Sequence, residues 1–134
     1  MESARETECF FIAKGEKMKT VNVLGEEYKI LVDEFNTLEL KGKNRSGYCA
    51  FYAKEIHIAN LDTDPDCKDE SEKVKERLRK EILRHEILHA FLRESGLQQN
   101  TAETYAWAEN EEMIDWFAVQ YPKIQNAFKE AGAI

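Results

Sequence analysis

Residues 85–89 read His85-Glu86-Ile87-Leu88-His89. Two histidines four apart fall on the same face of an α-helix, one turn from each other. From there both imidazoles reach a single Zn²⁺ at about 2.0–2.1 Å. The carboxylate of Glu86, beside the first histidine, can act as base toward a metal-activated water. A lone histidine in an apolar helical stripe is usually a core residue with a satisfied ring. Two of them with a glutamate between are harder to house that way, because three polar groups in one buried turn each need a partner. The segment therefore points to a metal centre, with His85 and His89 as ligands and Glu86 as base.

Catalytic zinc sites take three protein ligands and leave a position for water. One source of the third is a histidine six residues after the second, behind a glycine, as in metzincins. Leu92 and Ser95 stand at those two positions, which excludes it. The other source is a glutamate on a following helix. The run Asn110-Glu111-Glu112-Met113-Ile114-Asp115-Trp116-Phe117-Ala118 offers Glu111, with Glu112 as the nearest rival and His57 as a more distant one. Glu109, Glu111 and Glu112 also suit an ordinary solvated acidic face. Thr104, Ala108, Glu111, Asp115 and Ala118 share one helix face, and its small residues permit close approach to the histidine helix. Asp115, one turn beyond Glu111, can accept a hydrogen bond from an imidazole N–H and fix its tautomer.

The pairing of His85-Glu86-x-x-His89 with Asn110-Glu111-x-x-x-Asp115 resembles the two zinc motifs of the gluzincins, the thermolysin-like metallopeptidases. That resemblance implies that Glu111 is the third zinc ligand and that Asp115 supports a liganding histidine. The Glu111-x-x-x-Asp115-x-Phe117-Ala118 segment, the small size and the preceding β region also resemble the short ImmA/IrrE-type peptidases of bacteria and their mobile elements. The motifs span about residues 82–121. The implied activity is peptide hydrolysis with one catalytic Zn²⁺, a peptide or protein as substrate, and a donor for the oxyanion. Candidate donors are Tyr105, Tyr121, Tyr52 and His57; the sequence does not choose, and each tyrosine equally suits packing. A rival from another class is a non-catalytic, zinc-stabilised interaction protein using the same ligands. The presence of Glu86 argues against it, since a structural site needs no base there. A metal hydrolase acting on something other than peptides is a third reading.

The elements that must position these residues are legible in outline. The chain has 134 residues, 34% charged and 43% hydrophobic, enough for one domain with a core. No apolar run approaches the roughly 20 residues of a membrane helix, and Met1–Glu6 leads into no secretory signal. A net charge of −7 without a basic cluster argues against nucleic acid as partner. Cys9, Cys49 and Cys67 are odd in number and widely spaced, which suits free thiols in a reducing cytoplasm. Residues 1–17 read as a leader or short arm before a domain of residues 18–134. Lys14-Gly15-Glu16 can be encoded by a ribosome-binding sequence ahead of Met18, which makes Met18 a candidate start. Phe10-Phe11-Ile12 packed on the body is the other option.

The expected fold is α+β, a small twisted sheet followed by three helices in a minimal zincin-like domain. Alternation in Tyr28–Val32 predicts a strand, with a turn at Gly25-Glu26, and a second β region covers Tyr48–Ile58 with a turn at Lys54-Glu55. Ile56-His57-Ile58 suits either an edge strand that pairs with an extended substrate or an ordinary strand with a surface histidine. Residues 41–48 and 62–66 read as loops. A helix capped by Ser71 or Asp69 should run to Gly96, apolar on most sides between Ile82 and Leu92 and hence buried. A second should start at Asn100, with Glu103 completing a capping box, and stop near Pro122. A third covers Lys123–Ala131.

Overall fold

Strands that bury one face show it as alternation, and three segments here do so. Val21 and Val23, Tyr28 and Ile30, and Ile56 and Ile58 are all buried in one core, while intervening residues face the other way. The computed structural model describes residues 19–99 and 111–134, excepting the side chains at positions 111, 114, 115 and 118. The architecture is α+β. Strands β1 (Lys19–Val23), β2 (Glu26–Glu34), β3 (Gly47–Ala50) and β4 (Glu55–Asn60) are followed by helices α1 (Glu72–Glu94) and α2 (Glu111–Ala131). The leader or arm expected at residues 1–17 lies outside the described residues.

The sheet order is β1-β2-β4-β3. β1 pairs antiparallel with β2, β3 pairs antiparallel with β4, and the two hairpins join through a parallel β2–β4 seam. The first turn falls at Leu24-Gly25, one residue before the expected position. Both have positive φ, 51° and 95°, the conformation that suits a two-residue hairpin. The second hairpin turns through residues 51–54, where the Lys54 N–H donates to the Phe51 carbonyl and Lys54 takes the left-handed conformation. β4 is therefore an interior strand, not an edge. Of the two readings of Ile56-His57-Ile58, the ordinary strand holds and the substrate-pairing edge does not; β3 lies at the edge beyond it.

α1 begins as expected at Ser71, whose hydroxyl accepts from the Val74 N–H at 3.2 Å. It ends at Ser95, with Gly96 in the left-handed conformation that terminates helices. Leu83, Ile87, Ala90 and Phe91 form its buried stripe. The helix is not buried all round: His85 and His89 are exposed on a different face.

Two helices, rather than three, are described. α2 runs unbroken through Pro122 to Ala131, so the expected stop at Pro122 and separate third helix are incorrect. A helix-interior proline removes one backbone bond and crowds the preceding turn, at about 3 kcal/mol. Burial of Ile124, Ala127 and Ala131 against the sheet and α1 offsets that cost. Pro122 itself faces solvent. The expected Asn100 cap and Glu103 lie outside the described residues. No helix among the described residues is long and apolar enough to cross a membrane.

Candidate metal centre

At about 100° per residue, His85, His89 and Arg93 share a face of α1 well away from the core stripe, and Glu86 lies on the flank between. That flank packs against β3. A Cβ placed on Gly47 would lie 3.0 Å from Ile82 Cγ2 and 3.2 Å from Glu86 Cγ. The close approach leaves a cleft of about 490 Å³ between α1 and the edge strand. His85, Glu86, His89 and Arg93 line it from the helix, and Gly47, Tyr48 and Cys49 from the strand.

The Nε2 atoms of His85 and His89 face each other at 3.1 Å, with ring centroids 4.7 Å apart. Two nitrogens bound at about 2.0–2.1 Å to one tetrahedral ion stand about 3.3–3.4 Å apart. The pair thus fits a shared zinc ion with an adjustment of about 0.2–0.3 Å. Although His89 is exposed, partial desolvation by its surroundings, and then the neighbouring His85, lower its pKa, which favours the neutral imidazole that a metal needs. Glu86 is only 6% exposed. Burial raises its pKa, against opposing effects of His85 and Arg45. A carboxylate so placed holds a proton more readily than an exposed one, which suits a group that must accept and return one.

Among the described residues, no third His, Cys, Asp or Glu joins the two histidines. Glu111 and Asp115 sit at the start of α2, one turn apart, but their side chains lie outside the described set. Glu112, the rival ligand, is exposed on the same helix. His57 is not among the cleft-lining residues. On interior strand β4, its Nδ1 lies 2.6 Å from Asp33 Oδ2 and its Nε2 2.8 Å from Glu55 Oε1. It stacks on Tyr48 at 4.5 Å. Both ring nitrogens are engaged, so neither is offered to a ligand or an oxyanion, and the ring is half-buried rather than on the surface. Of the tyrosine candidates, Tyr52 is 89% exposed on the β3–β4 turn and Tyr121 is exposed on α2. Tyr105 lies outside the described residues.

The structure adds residues that sequence reasoning passed over. Gly47 was grouped with a loop, yet it sets the spacing between β3 and Glu86. Cys49 points a thiol, pushed up to about 11 by burial and then by Glu86, into the same cleft. Arg45 donates to the Glu39 backbone carbonyl and carboxylate at 2.7 and 2.8 Å and lies over the Tyr48 ring. An Arg93 four residues after His89 was visible as an i, i+4 continuation of the histidine face. Among protein-family models, curated proteins and solved structures, none matches this chain. The functional reading therefore rests on the motif residues and on this geometry.

Proposed function

We propose that the chain is a zinc-dependent metallopeptidase of minimal zincin-like form, acting in the cytoplasm. The observation that carries the reading is the convergence of the two histidine Nε2 atoms at 3.1 Å at a cleft that also holds Glu86. His85 and His89 would hold the ion, with Glu111 as third ligand and Asp115 orienting an imidazole. Zinc when bound supplies Lewis acidity, activating water and polarising a carbonyl. Glu86 takes the proton of the attacking water and returns it to the leaving amine. Edge strand β3 supports a peptide as substrate. Its outer backbone groups border the cleft, where an extended chain can add as a further strand.

The test is Glu86→Gln, which keeps shape and hydrogen-bonding capacity and removes the base. Cleavage of a peptide mixture, read by product mass, should fall about 10²–10⁴-fold. Zinc per chain and thermal stability should stay near the parent's. Cleavage at the parental rate would remove Glu86 as the base. If the parent holds zinc yet cleaves nothing in a broad peptide set, the non-catalytic interaction protein replaces the enzyme.

A further inference from the structure

Arg93 extends the His85–His89 face by one more turn, about 6 Å beyond His89 along the helix axis. Its guanidinium lies 4.3 Å from the Phe51 ring centroid and 5.9 Å from that of Tyr52. The β3–β4 turn thus fixes it at one end of the cleft. Gly47 abuts Ile82 and Glu86 at the other end, so β3 and α1 run alongside each other with Arg93 level with the strand's exit. Among the described residues, no carboxylate lies within ion-pair distance of Arg93, and its buried Nε has no hydrogen-bond partner. The other cations around it are matched. Lys54 pairs with Glu94, and Arg45, across the cleft, with Glu39. A buried Nε with no acceptor among the described residues is costly unless an acceptor arrives.

Resting on the metallopeptidase reading, we propose that Arg93 is a carboxylate receptor that sets substrate choice. An extended peptide advances about 3.3 Å per residue, so Arg93 meets a group about two or three residues from the bond held level with the histidines. A guanidinium presents a planar fork that matches a carboxylate with two parallel hydrogen bonds. Stacking on Phe51 holds the fork ready at little cost in side-chain freedom. The carboxylate is an aspartate or glutamate side chain, or the free C-terminus of a peptide.

The probes are decapeptides with one glutamate walked through an uncharged background, matched glutamine peptides, and a C-terminal acid and amide pair. The parent protein should cleave the best glutamate peptide with kcat/KM about 10–100-fold above its glutamine match, at one fixed offset from the cleaved bond. A preference for the acid over the amide instead assigns Arg93 to the C-terminus. Arg93→Lys should lose most of the discrimination, and Arg93→Gln all of it, read as the ratio of kcat/KM between the glutamate and glutamine peptides within each variant. Cleavage without any carboxylate preference overturns the proposal and leaves the peptidase reading intact. If no peptide is cleaved, the same pairs are titrated by fluorescence anisotropy. Tighter binding of the carboxylate member that Arg93→Lys abolishes supports the receptor alone; equal or absent binding overturns it. The comparison within the parent protein requires no variant to fold.

Discussion

Replacing Gly47 with alanine tests the close contact between the edge strand and the histidine helix. The added Cβ would stand 2.9 Å from the His57 carbonyl oxygen, 3.0 Å from Ile82 Cγ2 and 3.2 Å from Glu86 Cγ. Ordinary contacts between such atoms lie near 3.5–4.0 Å, so roughly half an ångström must be found on three sides at once. The His57 oxygen belongs to the paired strand and yields least, so β3 or α1 must shift. Overpacking of this kind costs about 1–3 kcal/mol. The stiffer unfolded chain of the alanine variant returns about 0.4–1 kcal/mol. The net loss is about 1–2 kcal/mol, or roughly 3–8 °C in Tm for a domain of this size. Gly42→Ala is the control: its nearest neighbour, Leu38 Cδ2, lies at 3.6 Å, and stability should hold. Circular-dichroism melts of both variants, with zinc affinity by chelator competition, make the measurement. A Gly47→Ala protein as stable as its parent would refute the contact and with it the placement of Glu86 against β3.

Three further outcomes are expected. Asp115→Ala should weaken zinc binding about 10–100-fold, as loss of a group that orients a ligand does; unchanged competition with a chelator removes that role. Pro122→Ala should raise stability by about 1–3 kcal/mol, because the residue is exposed and the helix regains a backbone hydrogen bond; a lower Tm counts against an unbroken α2. Glu94 accepts from the Tyr28 hydroxyl at 2.7 Å and from Lys54. Burial pushes the Glu94 carboxyl up, but these partners outweigh it and its pKa is lowered from 4.5. Its ionised form therefore stabilises the fold fully above the ordinary value, and this contribution fades as pH falls through the lowered one. Tyr28→Phe should cost about 1.5–3 kcal/mol at neutral pH and less in acid, seen in urea titrations from pH 7 to pH 3.

What could be read beforehand was local. Ser71 and Gly96 bound α1 because capping chemistry acts over three or four residues. The histidine pair shares a face because helical spacing requires it. Alternation in Tyr28–Val32 fixed a strand but not its neighbours. The parallel match of Lys29 with Glu55 through Glu34 with Asn60 joins segments 26 apart, and no short-range signal carries it. Consequently the sequence left Ile56–Ile58 open between an edge and an ordinary strand and did not mark Gly47–Ala50 as the edge. Pro122 misled for a related reason: its local preference was overridden by Ile124, Ala127 and Ala131 packing into the core. The role of Gly47 depends on a strand and a helix that meet only in three dimensions.

A sheet edge that accepts a guest strand will also accept a second copy of its own chain, and unprotected edges are where proteins begin to aggregate. β3 limits that risk by its length. Its four residues extend about 13 Å, room for a short guest segment but too little for a durable strand-to-strand dimer. Arg93, beside its far end, adds a charge with no carboxylate partner among the described residues. A second copy laid along this edge would have to seat its own strand beside that guanidinium, so the border of the cleft discourages self-association.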